Sequence, residues 1–174
     1  MHRRSAPNVK AGKVQKQNNW ALDPGDYYRV PQLLPVVDRR RPGRGYRHLL
    51  RRGDVERFIE LLPEWDELSR GLDALVLAPG SHYRYGYHRN GVVHVCAWPV
   101  HLWDTTDVAS YERDRPMLER LSVPAERRGR EILLRWTMPT ARAFQLLDVF
   151  LHELGHHHDQ MTTRSRREAA RGEP

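Results

Sequence analysis

The chain has 174 residues, of which 39% are hydrophobic, and it carries a net charge of +7. These values predict one domain with a modest core. Lysine occurs only at Lys10, Lys13 and Lys16, so arginine supplies nearly all the positive charge, and the basic balance alone is weak evidence for nucleic-acid binding. The single cysteine, Cys96, excludes an internal disulfide and a cysteine-based zinc cluster. The N-terminus lacks an apolar signal region and no stretch approaches the roughly 18 apolar residues of a membrane span, so we expect a soluble, cytoplasmic protein.

Composition divides the chain into three parts. Residues 1–25 are polar and are expected to form a disordered basic tail, residues 26–163 the folded domain, and residues 164–174 a short helical or frayed tail. The proline- and arginine-rich residues 26–53 are expected to be extended, with little regular structure. A helix is predicted to follow, with Asp54 as its N-cap and a kink or break at Pro63.

The middle of the chain is typical of β-structure. Residues 72–78 predict a short buried strand, and Asn90-Gly91 lies between two β-favouring runs, a strong hairpin signal that places Tyr87 opposite His94. A helix is predicted around residues 110–121 and a further strand over residues 131–138. We therefore expect an α+β fold in which helices surround a small, mostly antiparallel sheet.

A long amphipathic helix is predicted after Pro139, continuing to about residue 161. At 3.6 residues per turn, His152, His156 and Asp159 project from one face. The same polar stripe is predicted to include Gln145 and Asp148, while the side facing the sheet is predicted to carry Leu146, Leu147, Phe150, Leu151, Leu154, His157 and His158.

The sequence LHELGHHHDQ within this helix contains the pattern H-E-x-x-H at His152, Glu153 and His156. Two histidines at i and i+4 can bind one zinc ion, and the glutamate after the first can act on a water at that zinc. The segment resembles the zincin metallopeptidases over one helix and the strand before it, about a fifth of the chain. The resemblance implies a Zn²⁺-dependent hydrolase of peptide bonds with a buried active-site helix and Glu153 as general base.

The third zinc ligand distinguishes the branches of the zincins. The metzincin pattern needs glycine and histidine where this chain has Asp159 and Thr162, so that branch is excluded and a gluzincin-like site is favoured. A gluzincin-like site takes a downstream glutamate, and Glu173 is weighed slightly above Asp159, with Glu168 third. A ligand beyond Pro174 in a longer relative is a further alternative. Cys96 is predicted to be a packed strand residue and not a deformylase-like ligand.

The resemblance also implies groups that bind a peptide or protein substrate. The strand over residues 131–138 is the predicted substrate-binding edge. Donors for the developing oxyanion are sought among the side chains of Tyr85, Tyr87, His88, His94 and His101.

A second class of function stays open. The domain could be a zincin-like binding or regulatory module with a structural zinc and without hydrolysis. Contact with nucleic acid would then use an arginine-rich patch with Tyr46 interleaved, formed by Arg39, Arg40, Arg41, Arg44, Arg47, Arg51 and Arg52. Binding to duplex DNA that depends steeply on salt would favour this alternative.

Overall fold

Strands and helices alternate along the chain and form an α+β fold. The computed structural model describes the backbone of residues 8–10, 13–15 and 26–171 and the side chains of residues 27–163. The strands are β1 (Asn8–Lys10), β2 (Lys13–Gln15), β3 (Val36–Arg39), β4 (Tyr46–Arg47), β5 (Ala74–Ala78), β6 (Gly86–Arg89), β7 (Val92–Cys96), β8 (Trp98–Pro99), β9 (Trp103–Asp107), β10 (Ala125–Arg128) and β11 (Glu131–Arg135). The helices are α1 (Arg52–Ile59), α2 (Trp65–Leu68), α3 (Val108–Arg120), α4 (Met138–Phe144) and α5 (Leu151–Arg171), with a 3₁₀ turn at Asp26–Tyr28 and a π-helical segment at Gln145–Phe150.

A four-stranded mixed sheet lies at the centre of the domain, in the order β3-β5-β7-β6. Strand β5 runs parallel to both β3 and β7, whereas β6 pairs antiparallel with β7 and forms one edge. The expected antiparallel arrangement is therefore found in the β6–β7 hairpin but not in the other half of this sheet. Parallel pairing requires a long crossover between the strands, and α1 and α2 supply it between β3 and β5.

A second, three-stranded sheet is antiparallel throughout and has the order β10-β11-β9. Strand β11 corresponds to the strand predicted over residues 131–138 and ends three residues earlier. Its buried residues Ile132, Leu133 and Leu134 lie between two hydrogen-bonded neighbours, so both of its backbone edges are occupied.

The hairpin register agrees with the sequence-based prediction. Asn90 and Gly91 both have positive φ, at 48° and 72°, as the two central residues of a type I′ turn require. Tyr87 consequently pairs with His94 and His88 with Val93. Gly86 and His88 lie on the face of β6 that meets α5.

The helix predicted to have Asp54 as its N-cap starts earlier in the chain, and it is interrupted near Pro63 as predicted. Arg51 is the N-cap, and Asp54 is the N3 residue whose carboxylate accepts a hydrogen bond from the Arg51 backbone N–H at 2.7 Å. Asp54 is thus the reciprocal partner in a capping box and not the cap itself. The chain breaks its helical pattern around Pro63, between α1 and α2, because proline cannot donate to the preceding turn.

Both faces of the central sheet are covered. Leu75, Leu77, Val93 and Val95 pack against the helices in the main core, which includes Phe150 and Leu154. On the opposite face, Ala74, Val76, Ala78 and Val92 pack beneath Tyr27, Val36 and Tyr87. The segment predicted to be irregular therefore contributes strand β3 and the cover of this second face.

The long C-terminal helix contains a π-helical segment that the sequence pattern does not reveal. Gln145 is buried there, and its side-chain amide donates to the Cys96 carbonyl at 2.8 Å, whereas Leu147 is 55% exposed. Both positions contradict the predicted wheel, because a π-helical turn holds more than 3.6 residues and changes which side chains face the sheet. Phe150, Leu154 and His157 are buried as predicted.

Two short strands lie within the N-terminal segment for which a disordered tail is predicted. Strands β1 and β2 pair antiparallel. The other residues of that tail lie outside the described residues, as do the side chains of the predicted C-terminal tail, whose backbone is helical as far as Arg171.

Candidate metal centre on the C-terminal helix

Helix α5 places His152 and His156 side by side on its exposed face. Their Nε2 atoms lie 3.1 Å apart, and their ring centroids are 4.5 Å apart with the planes nearly perpendicular. Two imidazole nitrogens bound to one tetrahedral zinc at 2.0–2.1 Å are separated by about 3.3 Å. The two nitrogens are within hydrogen-bonding distance of each other, and this separation is also close to the one that a shared zinc ion requires.

Glu153 lies beneath the edge strand β6. A methyl group built on Gly86 would come within 3.0 Å of Glu153 Cγ and 2.6 Å of Val149 Cγ1, so the glycine lets the helix approach the strand closely. Burial raises the pKa of the Cys96 thiol to about 11, and the charge of the Glu153 carboxylate adds to that increase. The Glu153 side chain therefore packs against the edge strand at Gly86, next to the histidine pair in sequence.

His157 occupies a structural position on the other side of the helix. It is 1% exposed, and its Nε2 donates to the Arg70 carbonyl at 3.0 Å, which leaves Nδ1 as an acceptor from His88 Nε2 at 3.2 Å. Burial lowers the pKa of both imidazoles, so both favour the neutral form. The prediction that His157 faces the apolar side is confirmed, and His158 is half-buried.

Two further residues near the histidine pair were not identified as part of a metal site from the sequence. Partial burial raises the pKa of Asp148, one turn before His152; repulsion from Asp114 adds to this effect and the nearby His152 opposes it. On β6, the pKa of His88 is lowered first by burial and then by the charges of His157 and His156. The position of Asp148 four residues before His152 could have been recognised in the sequence. The position of His88 beside α5 depends on how the β6–β7 hairpin packs against that helix, which the sequence pattern does not reveal.

The described side chains do not complete a metal site. Across residues 27–163, no group of three or more His, Cys, Asp or Glu side chains is arranged to hold a metal ion, so the exposed Asp159 does not join His152 and His156 in such a group. Helix α5 continues to Arg171, 15 residues after His156, or about 22 Å along its axis. The side chains of Glu168 and Glu173 lie outside the described residues, and either carboxylate reaches the pair only if this helix ends earlier.

The predicted substrate edge is wrong, because β11 is the central strand of its sheet. The free edge beside α5 belongs to β6. Of the five predicted oxyanion donors, His88 lies against α5, as its contact with His157 shows. The others have partners elsewhere: the Tyr85 hydroxyl donates to Asp104, Tyr87 stacks on His94, His94 also contacts the Tyr28 hydroxyl, and His101 stacks on Trp103.

The arginine-rich patch is only partly free. Arg40 and Arg52 form ion pairs with the buried Asp38 carboxylate at 2.9 and 3.2 Å, and Arg47 is half-buried. The remaining members are exposed: Arg39, Arg41, Arg44 and Arg51. Fewer side chains are therefore available to phosphate groups than the sequence indicates.

No protein-family model matches the chain, and comparison with curated proteins and with solved structures likewise finds no match. Among the described residues, no helix combines the length and apolarity that crossing a bilayer requires.

Proposed function

We propose that the protein is a zinc-dependent peptidase in which the Nε2 atoms of His152 and His156 hold the metal and Glu153 is the general base. The observation that carries this proposal is the 3.1 Å separation of the two Nε2 atoms on an accessible helix face. Accessibility favours a catalytic site over a structural one, because structural zinc is enclosed by four protein ligands. The proposed fold assignment is zincin-like, with α5 as the active-site helix.

Bound zinc would lower the pKa of a water molecule and polarise a peptide carbonyl. The remaining steps would be carried out by residues of the chain. The Glu153 carboxylate takes the proton from the attacking water and delivers it to the leaving amine. His152 and His156 fix the reacting centre beside that carboxylate through their helical spacing.

Strand β6 is the proposed binding edge for an extended peptide. Within the described residues it pairs only with β7, and it packs against α5, so a peptide added to its other side would run past the histidine pair. This edge replaces the strand over residues 131–138 in the proposal.

For the third ligand, Glu173 remains the proposed residue, with Asp159 and Glu168 as alternatives. A role for Glu173 or Glu168 requires α5 to end before Arg171 when metal binds. Loss of α5 helicity on zinc addition, measured by circular dichroism, would support these two residues, and unchanged helicity would exclude them. His88 and Asp148 are the described residues to substitute next.

The metal site is tested by zinc content. Purified protein is expected to carry about one zinc per chain, and His152→Ala and His156→Ala should each lose it, because a site with two remaining protein ligands binds weakly. His158→Ala is the matched control on the same helix and should retain the metal. Equal zinc content in all four proteins would contradict the site.

Catalysis is tested at Glu153. The variant Glu153→Gln keeps the side-chain size and removes the base, so zinc content and melting temperature should stay nearly unchanged. Hydrolysis of unfolded casein should fall by about two orders of magnitude. Equal cleavage by both proteins would reject Glu153 as the base, and zinc-loaded wild-type protein that cleaves neither casein nor a random peptide library would favour the structural-zinc alternative.

A further inference from the structure

The edge strand β6 has backbone polar groups that β7 does not use. The Cys96 N–H donates to the Tyr85 carbonyl at 2.8 Å, and the next pair in the register is Gly86 with Val95. Bonded and non-bonded pairs alternate along an antiparallel ladder, so the N–H and C=O groups of Gly86 and His88 point away from β7. Within the described part of the chain, no other backbone group bonds to them. An extended peptide can therefore pair with β6 through these two residues.

Two arginines lie on the face of β6 opposite α5. Side chains alternate between the faces of a strand, so Tyr87 and Arg89 share this face, while His88 points toward α5. Arg84 reaches the same place from the loop before β6, with its guanidinium carbon 4.9 Å from the centre of the Tyr87 ring. Arg84, Tyr87 and Arg89 line one open depression of about 470 Å³, together with His88.

The described carboxylates leave both of these arginines without a counter-charge. Arg84 and Arg89 are exposed, and neither takes part in an ion pair with a described residue. Asp73, beside the hairpin turn, accepts a hydrogen bond from the Gln32 backbone N–H at 2.7 Å and forms no ion pair with Arg89. Glu153 packs on the α5 face of the strand. The face that carries the two arginines is therefore positively charged.

The two positive charges act on the same ring. Burial raises the pKa of the Tyr87 hydroxyl, Tyr28 and Cys96 add to that increase, and the charges of Arg84 and Arg89 oppose it. The field of both guanidinium groups therefore extends over Tyr87, at the centre of the depression.

A peptide paired with β6 would place every second side chain on this positive face. Residues opposite each other in a ladder point to the same face of the sheet. The peptide residues opposite Tyr87 and Arg89 would therefore project beside the two arginines, and the residue between them would project with His88 toward α5. These two positions are two residues apart in the peptide.

We propose that the peptide bound along β6 is acidic, with aspartate or glutamate at these two alternate positions. One carboxylate lies beside Arg84 over the Tyr87 ring, and the other lies beside Arg89. The inference rests on the proposed function, because it names the class of substrate that the peptidase would take, although binding along the edge does not itself require zinc.

The test measures binding by fluorescence anisotropy to full-length Glu153→Gln protein, in which the proposed hydrolysis is slowed. The probes are two rhodamine-labelled peptides, one alternating threonine with glutamate and one alternating threonine with glutamine. The glutamate peptide should bind about tenfold more tightly, because each of two partly exposed charge pairs contributes about threefold to fivefold. Equal affinities, or no binding of either peptide at millimolar concentration, would overturn the proposal.

The positions of the charges are tested in the same background. Adding Arg84→Gln or Arg89→Gln should each weaken binding of the glutamate peptide by about threefold to fivefold and leave binding of the glutamine peptide unchanged. Arg120→Gln, at an exposed arginine on α3, is the matched control and should have no effect. A glutamate peptide that responds to neither Arg84→Gln nor Arg89→Gln would overturn the assignment of its site.

The register also predicts which peptide amides are used. If the glutamates lie opposite Tyr87 and Arg89, the threonine N–H groups face β6 and the glutamate N–H groups face away from it. Methylation of the threonine amide nitrogens should therefore abolish binding, and methylation of the glutamate amide nitrogens should weaken it far less. Equal effects of the two modifications would contradict pairing along β6.

Hydrolysis is measured separately with zinc-loaded wild-type protein, so that the two proposals can fail independently. Preferential binding of the glutamate peptide without hydrolysis of it or of casein would reject the peptidase and support the acidic-peptide site. Hydrolysis of casein together with equal binding of the two peptides would reject the acidic preference alone.

Discussion

His94 is a histidine that the fold holds neutral. It is 1% exposed, stacks on Tyr87 with ring centroids 4.0 Å apart, and lies on the sheet face opposite α5. Its Nδ1 donates to the Tyr87 carbonyl, so Nε2 accepts from the Tyr28 hydroxyl at 2.6 Å. Burial lowers the pKa of His94 to about 4; the Tyr87 and Val92 carbonyls oppose this shift, and His88 and Arg40 add to it.

This pKa predicts a specific acid sensitivity. Because the folded-state pKa lies below the unfolded value of about 6.5, the stabilising contribution is complete above pH 6.5 and is lost as the pH falls toward 4. The loss should approach about 3 kcal/mol of unfolding free energy at the acid end. Urea denaturation across this range should show a shallower pH dependence for His94→Gln than for the wild type, and equal slopes would contradict the assignment.

Two adjacent histidines in α5 differ in their solvent exposure. His156 and His157 are adjacent in sequence, yet the first is exposed and the second is 1% exposed and bonded to Arg70 and His88. The helical wheel predicted that difference, because it depends only on a rotation of 100° per residue. It could not predict the partner His88, which is brought from 69 residues away by the hairpin.

At the scale of elements, the contact between α5 and β6 depends on a residue without a side chain. In Gly86→Ala the new methyl would lie 2.6 Å from Val149 Cγ1 and 2.9 Å from the His94 carbonyl oxygen. The helix and strand must then move apart, so we expect a loss of about 1–3 kcal/mol of unfolding free energy. The proposed hydrolysis of casein should fall by more than the loss of folded protein explains, because Glu153 shares this contact.

The matched control for Gly86 is Gly155 on the helix itself. A methyl group at Gly155 meets no atom within 4 Å, so Gly155→Ala should stabilise the protein by about 1 kcal/mol through its helix propensity. Chemical denaturation of both variants measures the expected destabilisation by Gly86→Ala and the expected stabilisation by Gly155→Ala in the same assay. Destabilisation by both substitutions to the same extent would show that the close approach at Gly86 is not the cause.

Elements with local signals were predictable from the sequence. The Asn90-Gly91 turn determined the β6–β7 register, and Pro63 predicted the break between α1 and α2. The parallel pairing of β3 with β5 was not predictable, because its partners are 38 residues apart and the proline-rich approach to β3 obscures a strand pattern. The hydrophobic periodicity predicted the helix that carries His152 and His156. It assumed a uniform α-helix, so the predicted exposure of Gln145 and the predicted burial of Leu147 are both wrong.

At the scale of the whole molecule, the buried Asp38 carboxylate connects three elements in the N-terminal part of the described domain. Asp38 accepts from the Tyr27 hydroxyl at 2.8 Å and pairs with Arg40 and Arg52, so it links the 3₁₀ turn, β3 and α1. Tyr27 is 2% exposed and covers the second face of the central sheet. The packing of Tyr27 over that face and the position of the start of α1 therefore both depend on the Asp38 carboxylate.

We expect Asp38→Asn to lower the unfolding free energy by about 2 kcal/mol, since it leaves two arginines without their counter-charge while conserving volume. The partial exposure of Arg40 and Arg52 keeps the value below that of a fully buried pair. Asp66→Asn, on the exposed surface of α2, is the control and should change stability by less than about 0.5 kcal/mol. An equal melting temperature for wild type and Asp38→Asn would contradict this role.

The π-helical segment Gln145–Phe150 determines how far α5 is rotated about the helix axis relative to α4. A π-helical turn holds about one residue more than an α-helical turn, so deleting one residue there would let the segment become α-helical while the helix beyond it kept its orientation. The same deletion in a uniform α-helix would turn the histidine pair, Leu154 and His157 together by about 100°, and both the core contact and the approach of Glu153 to β6 would be lost. A chain with the same ten-residue motif at the end of a uniform α-helix of equal length would therefore present that motif to different neighbours, and motif identity alone would not transfer the site.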